Sequence, residues 1–352
     1  MAVPARASFG ADGVRELPPF SAMTTTVCAW IPASAPAARV RGRLRRVFRV
    51  MERRLTRFRA DSELRRLCAR GGGTASPALF RALSTARRAW RRSGGLFDPR
   101  LRDVLEALGY GADLRFGGAI SVLPPRRRPL RPPAAQLWPG PRSRATALQS
   151  LRQSRPLLPW PAEVDLGGIG KGLTLRYAAR NLRRLCGGTS GLRSGGPCGV
   201  GKGSRPGFLV NAGGDIWAEG GGPQGTGWTV GIPAPADERQ ALAVLCVTDR
   251  TVCTSSRGRR RWIAGGREAH HLIDPRTGAP ADGGLWSVTV IGRDPAWAEV
   301  WSKTLFVAGA DSGLALAERR GLAAVFCTPE GELISTCAAG AYLRPLAERG
   351  QG

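Results

Sequence analysis

Residues 165–172 read Asp165, Leu166, Gly167, Gly168, Ile169, Gly170, Lys171, Gly172, and a helical pattern starts directly behind them, with Leu173, Tyr177, Ala178 and Leu182 recurring on one face. The glycines specify a tight turn that opens into a helix. A helix start of this kind leaves backbone N–H groups without intrahelical partners, and the helix dipole adds partial positive charge there, so the stretch is a ready anion site. Lys171 can set an ammonium beside the anion. Asp165 can hydrogen-bond a sugar or base, or help hold a metal. The same residues would also serve as a plain helix-entry loop with a solvated lysine. Lysine usage bears on the choice: of 53 Lys+Arg residues only Lys171, Lys202 and Lys303 are lysine. A compact ammonium and a planar guanidinium fork are different objects, so a lysine in an arginine-rich chain marks a place where the former is wanted.

The 352 residues can bury a sizeable core as one large domain or two. A net charge of +27 invites a nucleic-acid reading, but the arginines are scattered beside many glycines, prolines and alanines. No zinc-finger spacing or aromatic-basic RNA motif accompanies them, so no specific nucleic-acid partner is expected. No run of 18 or more apolar residues suggests a transmembrane segment, and residues 1–20 carry no apolar signal-peptide core. The chain reads as cytoplasmic. Its eight cysteines contain no C-x-x-C pair and are expected as free thiols. With two adjacent histidines only, a His-rich zinc site is not expected.

Along the chain, residues 1–20 read as disordered and residues 23–30 as a first strand. Val40, Leu44, Val47, Phe48, Met51 and Leu55 give a basic amphipathic helix with its arginines outward. Ser76 followed by Pro77 starts the next helix, and Gly94 with Gly95 stops it. Asp98 and Pro99 then form a turn that starts another short helix through Leu101, Val104, Leu105 and Leu108, with Asp98 as its N-cap. Residues 124–143 and 187–206 read as solvated, flexible insertions, and 346–352 as a tail. The second half reads as strands and turns: residues 207–217 as strand, glycine turn and strand, then strands near 228–232, 241–247, 250–254 and 286–291. A helix follows from Pro295, with Glu299 and Lys303 one turn apart and Ser302 nearby.

These motifs, taken in order, resemble the ApbE-like FAD:protein FMN transferase family. Residues 56–67 are similar to its T-F-R-x-D-S-E-L-S-R-L stretch, and residues 96–99 to its F-D-P turn. Residues 165–172 resemble D-L-G-[GA]-I-A-K-G, residues 209–215 the V-N-x-G-G-[DE] hairpin, residues 270–278 H-H-I-I-D-P-R-T-G, and residues 305–309 the end of its metal helix. The resemblance implies an α+β fold spanning residues 21–345, with mixed, mostly antiparallel sheets, packed helices and a cleft between two subdomains. FAD would be the substrate, contacted by Met23, Phe58, Leu96, Phe97, Asp98, Asp165, Lys171, Leu272 and Ile273. Lys171, Asp165 and His271, with His270 beside it, would be catalytic. The partner would be a client flavoprotein whose threonine hydroxyl attacks the FMN-side phosphorus while AMP leaves, assisted by Mg²⁺.

The implied metal set departs from the family pattern. It falls on Gly168 through its carbonyl, Glu299, Ser302 and Lys303, and an ammonium cannot ligate a cation. Lys303 therefore either takes over part of the metal's neutralising role or marks a branch with weakened transfer. Competing expectations for the same residues are an FAD pyrophosphatase releasing FMN and AMP, and a non-catalytic FAD-binding protein.

Overall fold

The computed structural model describes residues 13–111, 119–120, 157–159, 164–187 and 207–344. The expected insertion at 124–143, nearly all of that at 187–206, and the tail at 346–352 lie outside the described residues. The chain divides into two compact units, one of Met1–Phe48, Lys171–Ser256 and Gly283–Gly352, the other of Arg49–Gly170 and Arg257–Asp282.

The first unit is built on an eight-stranded sheet in the order Val14–Ala22, Thr25–Pro32, Phe208–Ala212, Asp215–Glu219, Arg250–Ser256, Ser287–Gly292, Ala323–Cys327, Leu333–Ser335, and every neighbouring pair is antiparallel. Side chains alternate faces along a strand, and here both faces are apolar. Val27, Ala29 and Ile31, with Phe208, Val210 and Trp217, meet Val40, Leu44 and Phe48 of the helix Ala37–Leu55 and Leu175, Ala178 and Leu182 of the helix Gly170–Leu185. On the opposite face Leu209, Ile216 and Val252 pack with Trp228, Ile232 and Leu245 of a small sheet formed by Trp228–Pro233, Ala241–Val247 and Leu343–Arg344. The helix Pro295–Ala308 lies on the strands Arg250–Ser256 and Ser287–Gly292.

Two expectations near the N-terminus are corrected. Val14–Ala22 is a strand, not disordered chain, and residues 23–30 do not form one uninterrupted strand. Met23 and Thr24 are the two-residue turn between Val14–Ala22 and Thr25–Pro32, with φ of 53° and 57°. Val14–Ala22 reads as loop because it is an edge strand: the register shifts between Leu17 and Phe20, at Pro18 and Pro19, and Leu17 is its one buried residue. Proline is tolerated at edges and bulges because no inner neighbour needs its missing N–H.

The second unit carries the helices Glu63–Ala69, Pro77–Arg92 and Arg102–Ala107 and short hairpins. The Ser62 hydroxyl accepts from Arg65 N at 3.1 Å and the Ser76 hydroxyl from Leu79 N at 3.3 Å, so both helix starts are capped by serine, the second as its sequence specifies. Leu105, Leu108, Tyr110, Trp262, Ala269 and Ile273 form its apolar cluster.

Candidate functional site

In the first unit the site gathers around one buried carboxylate. Asp294 caps the helix Pro295–Ala308 by accepting from Ala296 N and Trp297 N at 3.0 and 3.3 Å, with Pro295 at the first turn. This start places Glu299 on the helix's inner side, 0% exposed. Its Oε1 accepts from Lys171 Nζ at 3.0 Å and from Lys303 Nζ at 3.3 Å, and its Oε2 from Gly172 N at 2.8 Å. Lys171 is also ion-paired with Asp215, which is buried at the start of the strand after the Gly213–Gly214 turn. The helix N-terminus expected to hold an outside anion thus holds an internal carboxylate, and Lys171 is not a solvated lysine.

Burial by itself would raise the Glu299 pKa, but the charges of Lys171 and then Lys303, together with the Gly172 N–H, outweigh it and hold the carboxyl below its ordinary value. Glu299 is ionised at neutral pH. The contact depends on Gly172, since a Cβ there would overlap the backbone of Pro295 and Ala296. Gly172→Ala is expected to cost about 2–4 kcal/mol, combining overpacking with loss of a charge-assisted hydrogen bond. A denaturant titration reads this as a lower midpoint at unchanged slope.

Ser302 Oγ donates to Glu299 O at 3.0 Å, so Ser255 Oγ, 2.8 Å away, is the donor in the Ser255–Ser302 pair. Met23 Sδ accepts from Thr174 Oγ1 at 3.3 Å. Its left-handed backbone is uncommon for a residue with a side chain, and such strain gathers at ligand sites.

The second unit presents a separate group. Asp165 N donates to Pro99 O at 2.8 Å, and Asp165 Oδ1 accepts from Gly167 N at 2.7 Å, which closes the glycine turn. Its Oδ2 lies 3.3 Å from Arg57 Nε. Arg57 is buried, with Nη2 donating to Tyr110 O at 2.7 Å and its guanidinium 4.3 Å from the Phe58 ring centre and 4.7 Å from that of Tyr110. Phe58 is half-buried beside Tyr110. Gly168 lies in the turn, partly exposed.

Asp98 is not free to act as the cap of the following helix. Its Oδ1 accepts from Arg100 N and Nε at 2.9 and 2.8 Å, and its Oδ2 from Arg100 Nη2 at 2.6 Å. Leu96 is half-buried, whereas Phe97, Leu272 and Ile273 are buried. His270 is buried: its Nδ1 accepts from Leu272 N at 3.3 Å, so the proton sits on Nε2, which donates to Ala281 O at 3.2 Å. His271 is half-buried, and its backbone N–H donates to Arg260 O at 3.3 Å.

The metal set does not fit a divalent ion. Glu299 Oε1 already accepts from two ammonium groups and Oε2 from Gly172 N, Ser302 Oγ already accepts from Ser255 Oγ, and Lys303 carries a positive charge. An ion bound to Glu299 Oε1 would lie within about 5 Å of the Lys303 ammonium. Their repulsion would be roughly 6 kcal/mol at an effective dielectric near 20. Among the described residues no group of three or more His, Cys, Asp or Glu could hold a metal.

The ApbE family model matches residues 23–198 and 199–326, most of the chain. The chain belongs to the ApbE family. A protein of Escherichia coli strain K12 named FAD:protein FMN transferase is 33% identical over 174 residues, 49% of this chain and 44% of that protein. The protein of that name from Salmonella typhimurium strain LT2 is 32% identical over 174 residues, 49% of this chain and 45% of its own. The aligned part is thus under half the length of these curated relatives. Among solved structures, the apo form of the Pseudomonas stutzeri flavinyl transferase ApbE aligns with a TM-score of 0.68 at 25% identity, covering 94% of this chain and 97% of that one. The Thermotoga maritima apbe protein aligns at 0.70 with 19% identity, covering 94% and 100%, and shows the shared fold alone. The fold is the α+β ApbE fold, as the sequence motifs implied.

Sequence reasoning missed Arg57, Gly172 and Asp215 as site residues. Asp215 closes a motif already singled out, and pairing its carboxylate with a rare lysine was the available signal. Arg57 sits among other arginines in the sequence, with nothing local to mark it as the buried one. Among the described residues six cysteines are free, but Cys246 is disulfide-bonded, contrary to the expectation of free thiols throughout. No helix among the described residues is long and apolar enough to cross a membrane.

Proposed function

We propose that this chain is an FAD:protein FMN transferase. The observation that carries the proposal is the family match over residues 23–198 and 199–326. The likeness to a flavinyl transferase structure over 94% of the chain supports it. In this reading a threonine Oγ of a client flavoprotein attacks the FMN-side phosphorus of FAD. A new P–O bond forms as the bond to the AMP phosphate breaks, the threonine proton is taken up, and AMP leaves. Phosphoryl chemistry of this type depends on positioning and charge neutralisation.

Phe58 and Leu96, both half-buried, are suited to a planar ring, and Met23 brings a strained turn and a thioether. Phe97, Leu272 and Ile273 would support the substrate pocket from the core, with Asp98 holding its turn through Arg100. Asp165 would act from its fixed position against Arg57, and Lys171 through the buried carboxylates it neutralises. His271 is the better candidate for carrying the threonine proton, because both ring nitrogens of His270 are engaged. Magnesium is not part of the proposal, since the implied ligands do not fit it. The cytoplasmic setting read from the sequence stays with the proposal; among the described residues six cysteines are free, as a reducing compartment allows, whereas Cys246 is disulfide-bonded.

A second reading, an FAD-binding protein without transfer, is favoured by the same filled carboxylate site. The two separate in one experiment: a client domain with an exposed acceptor threonine is incubated with FAD and this chain, then weighed by mass spectrometry. The transferase reading expects a gain of one FMN, slowed about 10²–10³-fold by Lys171→Ala. FAD binding without any mass gain would establish the second reading, and AMP released without a client would indicate hydrolysis.

A further inference from the structure

Two carboxylates and two ammonium groups meet in the first unit. Glu299 and Asp215 are buried, and Lys171 pairs with both, while Lys303 pairs with Glu299. Their formal charges sum to zero. Without Lys303 the group would carry a net negative charge, and Glu299 Oε1 would lose one of its two donors. A buried carboxylate with a spare lone pair and net negative surroundings is what a hard divalent cation binds, through oxygen. With Lys303 in place the group is neutral and both lone pairs of Glu299 Oε1 are used.

We propose that Lys303 takes the place of a divalent cation in this chain, so that the Glu299–Asp215 pair is neutralised by protein ammonium groups and binds no Mg²⁺. The inference rests on the carboxylate group and not on the transferase reading. Its test needs neither FAD nor a client, so the two can fail separately. The geometry also states what Lys303 does. It is four residues beyond Glu299 on the same helix, within the reach that allows i, i+4 pairing, and it anchors the carboxylate from the side opposite in sequence to Gly172 and Lys171.

The purified chain is titrated with Mn²⁺ while the free-ion electron paramagnetic resonance signal is followed, and with Mg²⁺ while thermal melting is followed, both at constant ionic strength. Wild type is expected to bind no stoichiometric Mn²⁺, and its Tm should move by less than about 1 °C. Lys303→Met and Lys303→Thr are expected to take up one Mn²⁺ per chain and to show a saturable Mg²⁺-dependent rise of at least about 3 °C. One equivalent of Mn²⁺ bound by wild type and lost in Glu299→Gln would overturn the proposal. Folded Lys303 variants that stay as insensitive as wild type would overturn the role given to Lys303. If neither variant folds, the wild-type titration still decides whether a cation is held.

Discussion

Glu299→Gln is expected to lower stability by about 3–5 kcal/mol at neutral pH, the scale for removing one partner of a buried ion pair. The amide keeps the shape, and its oxygen can still accept from Gly172 N. It leaves the Lys171 and Lys303 ammonium groups close together with only Asp215 to offset them. Urea denaturation of wild type and variant measures the difference, and a double-mutant cycle with Lys303→Met localises it. Because the two side chains touch at 3.3 Å, the double variant should be more stable than the summed single losses imply, by about 1–3 kcal/mol. Additive losses would mean that Lys303 is spectator to Glu299. The pH dependence gives a second check. Glu299 has a depressed folded pKa, so its contribution is present above the ordinary carboxylate value and is lost as pH falls through the folded one. The wild-type advantage should therefore shrink in acid.

Local signals in the sequence carried much of the fold. The Ser76 cap, the start at Pro295 and clean apolar periodicity put the helices Ala37–Leu55, Pro77–Arg92 and Pro295–Ala308 where the structure has them. Each rests on contacts within a turn or two of chain. What was not legible depends on distant partners. Val14–Ala22 has two prolines and one buried residue, and becomes a strand only because Thr25–Pro32 offers it a ladder. The site divides in the same way. Lys171, Asp165, Glu299 and Lys303 could be named from motif and residue type. That Lys171 faces two carboxylates, one of them 128 positions away along the chain, follows from the packing of the helix Gly170–Leu185 on Pro295. An anion cradle and an internally occupied helix start look alike in sequence, because both need glycines and a lysine; only the tertiary partner tells them apart.

The second large effect belongs to His270. Burial pushes its pKa down from 6.5 to about 4, with Arg257 adding to the shift and the Ala281 carbonyl, Glu268 and Asp282 opposing it. The folded chain keeps His270 neutral to a lower pH than the unfolded chain does, so between pH 6.5 and 4 the unfolded state binds the extra proton. Stability from this residue is present above pH 6.5 and lost as pH falls toward 4, for a total of about 3 kcal/mol. His270→Gln retains a donor for the Ala281 carbonyl but cannot titrate. It should cost about 1–2 kcal/mol at pH 7 and then lose less than wild type on acidification, so that the two stability curves approach or cross before pH 4. Denaturant titrations at half-unit pH steps would show this as a wild-type slope steeper by up to one proton. Equal slopes would mean that His270 is protonated alike in both states, contradicting the geometry in which Nδ1 accepts from Leu272 N. The Glu299 loss begins only near the ordinary carboxylate value of 4.5 and runs below it, so the histidine acts first along the acid limb and the buried carboxylate second.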